Sequence, residues 1–168
     1  MPKIERIKKR HLLKKKEQRQ EIERIERDLG TAVKSPDGKM QIEGGVLDDG
    51  SRVLLLNGEI LFFEHNGRMF PTLRALLSGM ITIPRVTVDM GAVKYVVNGA
   101  DIMRPGITEV DDGIRENSIV AVVDERHGKP LAVGISKMST QDLRNASSGK
   151  VILSVHHIND PLWDFGKT

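Results

Sequence analysis

The 168-residue sequence contains no cysteine, and aromatic residues make up only 4% of it. The absence of cysteine excludes disulfide bonds and zinc sites with thiolate ligands, and it is consistent with a reducing compartment. No apolar run approaches the roughly 20 residues that a membrane-spanning helix requires. The basic N-terminus is not followed by an apolar segment, so it does not predict a secretory signal. We therefore expect a cytoplasmic protein without a membrane partner.

Catalytic and metal-binding motifs are also lacking. The sequence contains neither a GxxxxGK[ST] phosphate loop nor a GxSxG nucleophile motif. His156 and His157 are adjacent on a predicted strand, where neighbouring side chains point to opposite faces. Asp48 and Asp49 precede Gly50, and we interpret them as a turn because aspartate commonly hydrogen-bonds locally there. We expect no enzymatic activity, no metal and no cofactor.

Positive charge is present in one place. The whole chain carries a net charge of +3, whereas residues 1–19 contain nine Lys or Arg residues and two Glu residues, a net charge of +7. The rest of the chain therefore carries −4. A short first strand is predicted around Ile4 and Ile7, followed by a helix over residues 10–28 with Gly30 as its stop. This helix either is a solvated surface element or faces a nucleic acid, and the sequence leaves both interpretations open.

After the basic helix, the sequence pattern of the first half of the chain predicts several strands followed by a second helix. Strands are predicted at 40–47, 52–56 and 59–64, with turns at 35–38 and 48–50. Asn57-Gly58 between two apolar runs is a strong signal for a two-residue hairpin. Residues 70–77 predict a helix with Pro71 in its first turn. Gly79 ends this helix, and Pro84 marks the expected domain boundary.

The second half is organised around residues 85–110. Val86 and Val88 predict a strand, and Asp89 is a good N-cap for a helix that Gly99 would close. Pro105-Gly106 fits a type II turn in which Gly106 has a positive φ. Further strands are expected at 118–124, 130–137 and 151–157, with a bulge or close approach at Gly134. A capping box at Ser139 predicts a helix that ends near Gly149, and the many short strands indicate a small barrel.

These segments resemble two known families of domains. Residues 88–92, 99–101 and 104–107 resemble the opening of a PUA domain, a small RNA-binding β-barrel. NGEILFF (57–63), FPTLRALL (70–77), GISKMS (134–139) and HINDPLW (157–163) extend the resemblance to the malignant T-cell amplified sequence family, in an archaeal-type form. The resemblance implies an α+β protein, with a pre-PUA α/β domain in residues 1–83 and a PUA barrel in residues 84–168. Arg104 stands where cysteine is expected in animal relatives, and the basic first 30 residues match less well.

The resemblance also implies a function. Members of the family bind RNA in translation, so we expect binding to a tRNA acceptor end, to ribosomal RNA or to the small ribosomal subunit during initiation, reinitiation or recycling. A partner similar to the density-regulated protein is implied as well. Two alternatives remain open: a scaffold that binds ribosomal proteins, and an RNA-binding accessory subunit of an RNA-modification enzyme.

The same resemblance places the RNA site at the loop after the first PUA helix. The residues assigned to RNA binding are Lys94, Gly99, Ala100, Asp101, Met103, Arg104, Pro105, Gly106 and Lys137. The glycines would leave backbone amides open to a phosphate or a base edge. Arg104 would add a guanidinium, and its replacement by alanine is expected to leave stability nearly unchanged if the side chain is exposed.

Overall fold

The computed structural model describes residues 2–34 and 41–166. The chain divides into two compact units, the first comprising Met1–Thr82 and Pro161–Thr168 and the second comprising Ile83–Asp160. The C-terminal segment from Pro161 thus belongs to the first unit, whereas the sequence assigned it to the second domain. The predicted turn at 35–38 and the start of the strand predicted at 40–47 lie outside the described residues.

The first unit is built on a five-stranded sheet whose strands follow chain order. Its elements up to residue 78 are β1 (Lys8–Leu12), α1 (Lys15–Leu29), β2 (Ile42–Val46), β3 (Arg52–Leu56), β4 (Glu59–His65), β5 (Arg68–Pro71) and α2 (Leu73–Ser78). All of its strand pairs are antiparallel. Helix α1 packs against β5 through an apolar face on which Ile25 is 1% exposed.

The basic N-terminal helix forms as predicted, but the first strand lies later than expected. Gly30 has φ 69° and ends α1, and its N–H donates to the carbonyl oxygen of Glu26 over 2.8 Å. The strand predicted around Ile4 and Ile7 instead covers Lys8–Leu12. Just before this strand, the Ile7 side chain packs against Gly45 on β2 and occupies the position that a Cβ atom of residue 45 would take.

The hairpin at Asn57-Gly58 and the turn at 48–50 are confirmed, whereas the predicted start of the second helix is wrong. Asn57 and Gly58 both have positive φ, 53° and 81°, as a type I′ turn requires. Hydrogen bonds from Ser51 shape the turn at Asp49 and lower the pKa of its carboxyl. Pro71 ends β5, a strand that the sequence did not predict, and α2 begins only after its N-cap Thr72. Proline is tolerated there because β5 is a terminal strand of the sheet.

The second unit is a curled six-stranded sheet, which confirms the predicted small β-barrel. Its elements are β6 (Arg85–Val88), α3 (Met90–Val96), β7 (Ile102–Met103), β8 (Ile107–Val110), β9 (Ile119–Asp124), β10 (Pro130–Ser136), α4 (Thr140–Asn145) and β11 (Lys150–His157). The sheet order is β7-β11-β10-β9-β6-β8. Only the three residues Arg104–Gly106 join the two terminal strands, so the sheet must curl until its edges meet. Helix α5 (Pro161–Asp164) follows in the first unit.

Several local predictions in the barrel need correction. Arg104–Gly106 form a single turn of 3₁₀-helix, and Gly106 does not have a positive φ, so the predicted type II turn is wrong. Helix α4 ends at Asn145 and not near Gly149. The bulge at Gly134 is confirmed, because the register between β10 and β11 shifts between Val133 and Gly134.

Neither unit contains, within residues 2–34 and 41–166, a helix long and apolar enough to cross a membrane. The same residues bring together no group of three His, Asp or Glu side chains that could hold a metal ion.

Candidate nucleic-acid interface

Helix α3 is fixed at its start by three hydrogen bonds. The Asp89 carboxylate accepts from the N–H of Ala92 over 2.9 Å, which confirms the predicted N-cap. The N–H of Asp89 donates to the carbonyl oxygen of Gly106 over 2.9 Å, and the N–H of Met90 donates to the Glu125 carboxylate over 3.3 Å. The first turn of α3 is therefore tied both to the loop after β7 and to the loop between β9 and β10.

The end of α3 depends on Gly99. The N–H of Gly99 donates to the carbonyl oxygen of Val96 over 3.0 Å, and its φ of +90° is one that side chains rarely adopt. The imidazole of His157 packs directly against this glycine, since a Cβ atom added at Gly99 would lie 2.8 Å from His157 Nε2. Gly99 is thus required both for its conformation and for the close approach of β11.

Asp101 fastens the same loop to β11. One of its carboxylate oxygens accepts from the N–H of Ser154 over 2.7 Å, and the other lies 3.2 Å from Nζ of Lys150. Its negative charge is therefore used within the fold and is offset by a neighbouring lysine.

Arg104 is half-buried, which differs from the exposed side chain expected from the sequence. Its Nε donates to the carbonyl oxygen of Leu143 over 2.6 Å, and one terminal nitrogen donates to that of Ile107 over 3.1 Å. Its backbone N–H donates to Gly149 over 2.8 Å. The guanidinium thus links β8 to the end of α4, and this contact requires a planar group with several donors.

Pro105 and Gly106 shape the turn differently from the prediction. Pro105 is exposed at the start of the 3₁₀ turn, where its missing N–H costs no hydrogen bond. Gly106 packs against α3, because an added Cβ atom would lie 3.3 Å from Cβ of Ala92. A side chain at position 106 would therefore be crowded by the helix, and φ strain is not the reason for glycine.

Exposed side chains surround this loop and form what we call the α3–β7 surface, comprising Lys94, Tyr95, Met103, Lys137 and Lys150. Tyr95 is 59% exposed and Met103 is 51% exposed. Lys150 pairs with Met103 across β11 and β7, and the N–H of Lys137 donates to Val151 over 2.9 Å, so these three lie at one end of neighbouring strands. The carbonyl oxygen of Tyr95 accepts from the N–H of Ala100, so only Asp101 and Ile102 separate this contact at the end of α3 from Met103.

Tyr95 and Lys150 are not among the site residues predicted from the sequence. Tyr95 is the only tyrosine in the chain, and it lies off the apolar face of α3. The sequence signal for Tyr95 is its position as an aromatic residue on the polar side of a predicted helix. Nζ of Lys94 lies 5.1 Å from the Tyr95 ring centroid, which places a cation beside the ring. An exposed ring next to lysines suits a nucleotide, since the ring can stack on a base and the cations can contact phosphates.

The two histidines on β11 point to opposite sides of the strand, as predicted. His156 is 0% exposed, and its Nδ1 lies 2.8 Å from the Asp160 carboxylate. His157 is half-buried, and its Nδ1 donates to the carbonyl oxygen of Ile158 over 2.7 Å. Their environments differ, and they do not share a ligand.

Buried Asp124 organises the loop that reaches the start of α3, and it gives a pH-dependent prediction. The N–H of His127 donates to its carboxylate over 2.6 Å and that of Lys129 over 3.3 Å, and these hydrogen bonds lower its pKa. A lowered pKa stabilises the fold above the unfolded-state value of about 4, and this contribution is lost as the pH falls through the folded-state pKa. Asp124→Asn should cost about 1–3 kcal/mol at neutral pH. The difference from wild type in urea melts should shrink below about pH 4, and a difference independent of pH would contradict this account.

Comparison with known proteins agrees with the fold. The PUA domain family matches residues 84–158, and a domain of unknown function (DUF1947) matches residues 9–78. A hypothetical protein of Pyrococcus horikoshii has a similar structure, with a TM-score of 0.76 and 32% identity over 92% of this chain and 98% of that chain. A PUA domain protein of Aeropyrum pernix gives a TM-score of 0.80 and 26% identity over 92% of this chain and 89% of its own.

Relatives by sequence include both archaeal and eukaryotic proteins. An uncharacterised protein of Methanocaldococcus jannaschii is 35% identical over 162 residues, 95% of this chain and 98% of that protein. Translation machinery-associated protein 20 of Saccharomyces cerevisiae is 34% identical over 133 residues, 76% of this chain and 74% of its own. Malignant T-cell-amplified sequence 1 of Danio rerio is 39% identical over 115 residues, 66% of this chain and 64% of that protein. The chain therefore belongs to the malignant T-cell-amplified sequence family.

Proposed function

We propose that the protein binds RNA through the α3–β7 surface and acts with the translation machinery. The observation that carries this proposal is the exposed Tyr95 ring, which lies on a PUA barrel with Nζ of Lys94 5.1 Å from its centroid. The name of the yeast relative, translation machinery-associated protein 20, supports the link to translation. The family relationship extends over both units, since separate domain families match residues 9–78 and 84–158.

The chemistry of the surface favours an unpaired RNA end. A base can stack on Tyr95 only if it has left its own helical stack, which single-stranded ends allow. Stacking on an aromatic side chain contributes about 1–3 kcal/mol for each base. Lys94 and Lys137 are exposed and can contact phosphates on either side of the stacked base. We therefore propose the unpaired acceptor end of tRNA as the ligand of this surface.

We propose two roles for the residues of the α3–β7 surface and of the loop that follows α3. Lys94, Tyr95, Met103 and Lys137 contact the RNA, while Gly99 and Ala100 let its backbone approach closely. Asp101, Arg104 and Gly106 instead position the loop, because their polar groups and packing are engaged with neighbouring elements. Pro105 fixes φ at the second residue of the 3₁₀ turn.

The place of action that we propose is the small ribosomal subunit, where an acceptor end and ribosomal RNA are both present. A partner similar to the density-regulated protein remains a prediction from the family. Neither is needed for the RNA contact itself, which the isolated chain should make.

Replacement of Tyr95 tests the proposed contact. Tyr95→Ala should weaken binding to tRNA by about 5–100-fold, since it removes the stacking of one base. Tyr95→Phe keeps the ring and should bind within about threefold of wild type. Both variants should melt as wild type does, because exposed positions usually change stability by less than about 0.5 kcal/mol. Affinity measured by fluorescence anisotropy, with Tyr95→Ala equal to wild type, would refute the stacking role.

A further inference from the structure

We propose that the first unit carries a second RNA-binding surface, which holds the phosphate backbone of duplex RNA without reading its sequence. The basic surface consists of five exposed cations on β1 and at the start of α1: Lys9, Lys14, Lys15, Lys16 and Arg19. This inference rests on the charges of the first unit and does not depend on the α3–β7 surface.

Cations in this region fall into two groups. Arg10 donates two hydrogen bonds to Glu43, and Nζ of Lys8 lies 3.3 Å from Asp48, so these two cations are matched within the fold. The five cations of the basic surface have no carboxylate within 4.0 Å in the described ranges. A fold that pairs some of its cations and leaves their neighbours unmatched has a concentrated positive charge available for a polyanion.

The cations of α1 are concentrated on one face of the helix, near its N-terminus. Lys15 and Arg19 are four residues apart and Lys16 and Arg19 are three apart, so all three share one helix face. They lie in the first turns of α1, where cations are unfavourable because the helix N-terminus is itself positive. Only Glu17 is acidic in the first turn, and its carboxylate accepts from the N–H of Lys14. The face thus concentrates positive charge at a position where helix stability alone would favour acidic residues.

Duplex RNA fits this surface better than single-stranded RNA. Surfaces that bind single strands combine cations with aromatic side chains on which bases stack. The first 61 residues of the chain contain no Phe, Tyr or Trp. The ring of His11 is held by the carbonyl oxygen of Lys9 and lies beside Glu17, so the basic surface offers mainly cations. Contacts to phosphates without stacking suit a duplex, whose bases are already paired and whose backbone is regularly spaced.

An acidic protein segment that adds a strand to β1 is less suited to the geometry. β1 is a terminal strand of its sheet, so one of its edges could in principle pair with another chain. The register between β1 and β2 shifts between Lys8 and His11, and Lys9 has a φ of 53°. A bulge of this kind twists an edge strand and interrupts its hydrogen-bonding row. The free edge of β1 is therefore poorly suited to pairing with another strand, while the cations of the basic surface remain exposed.

The test measures binding of the full chain to a blunt-ended RNA duplex of about 16 base pairs. The variant Lys15→Gln/Lys16→Gln/Arg19→Gln removes three charges from one face and keeps residues of similar helix propensity. We expect affinity at about 0.1 M salt to fall by tenfold or more, and the slope of log K against log salt to fall by about 2–3. The melting temperature should stay the same or rise, because like charges leave the helix N-terminus.

A matched control variant distinguishes loss of the basic surface itself from a general loss of positive charge. Arg115→Gln/Arg126→Gln/Lys129→Gln removes the same charge from exposed loop positions of the second unit and should bind the duplex within about twofold of wild type. Equal losses in both triple variants, or no loss in the first, would overturn the proposal. Potent competition by polyglutamate together with weak duplex binding would overturn it in favour of an acidic protein partner. Tyr95→Ala should leave duplex binding unchanged, so failure of this surface and failure of the α3–β7 surface give different results.

Discussion

Replacing Arg104 with alanine is expected to lower the free energy of unfolding of the second unit by about 2–4 kcal/mol. The guanidinium donates to the carbonyl oxygens of Leu143 and Ile107 over 2.6 and 3.1 Å. Hydrogen bonds that involve a charged group contribute about 1.5–3 kcal/mol each, and their loss leaves carbonyl groups without these partners. The stem of Arg104 also packs in a half-buried position, which adds to the loss.

Two variants serve as controls for Arg104→Ala. Arg104→Lys keeps the charge but cannot present two donors in a planar fork, so it should recover less than half of the loss. Arg115→Ala removes an exposed arginine from the same unit and should change stability by less than about 0.5 kcal/mol. Chemical denaturation followed by circular dichroism measures all three. An Arg104→Ala variant as stable as Arg115→Ala would show that the two carbonyl contacts do not hold the turn.

The second large effect is expected at Gly99. Gly99→Ala should cost about 2–3 kcal/mol, of which roughly 1 kcal/mol comes from placing alanine at a positive φ. The remainder arises because the new methyl group would lie 2.8 Å from Nε2 of His157, and the imidazole must move. The loop beside Tyr95 should shift with it, so the affinity for tRNA should fall further than the loss of folded protein explains.

Gly113→Ala is the matched control for this change. Gly113 has a φ of +84°, close to the +90° of Gly99, but an added Cβ atom there would meet nothing within 4 Å. Its replacement should cost only the backbone term of about 1 kcal/mol and leave RNA affinity unchanged. Equal losses of stability and of affinity in the two variants would contradict the role of the contact between Gly99 and His157.

Local sequence patterns predicted those elements whose geometry depends on neighbouring residues alone. The strand over residues 52–56 forms as β3, and Asn57-Gly58 adopts the positive φ values of its hairpin. Asp89 caps α3 through the N–H of Ala92, three residues along the chain. For the turn and the cap, the residue type and the hydrogen bond are local, so one stretch of sequence contains the whole cause.

Predictions failed where contacts distant in sequence decide the geometry. Pro71 was placed in a helix, but pairing of β5 with β4 extends the chain there. Pro105-Gly106 was predicted to form a type II turn, yet the backbone is held by hydrogen bonds from Arg104 to Leu143 and from Asp89 to Gly106. Turn chemistry gives only a preference, and these contacts select the 3₁₀ conformation instead.

In the candidate site, too, local features were predictable from the sequence, whereas contacts between distant segments were not. The sequence predicted an RNA site at the loop between α3 and β8, but it could not show that Arg104 and Asp101 are engaged with α4 and β11. Nor could it show that Lys150 on β11 faces Met103 on β7, because that depends on strand pairing. The exposure of Tyr95 could have been predicted from the sequence, because the residue lies off the apolar face of α3.

The most direct test of the account is the affinity of the full chain for tRNA with and without its unpaired 3′ nucleotides, at one salt concentration. We expect removal of these nucleotides to weaken binding by about tenfold or more, because Tyr95 then loses the base that stacks on it. The Tyr95→Ala variant should show a smaller difference between the two RNAs, because only the lysine contacts to the phosphates of the unpaired end remain. Equal binding of the two RNAs by the wild-type protein would contradict the assignment of the α3–β7 surface to an unpaired RNA end.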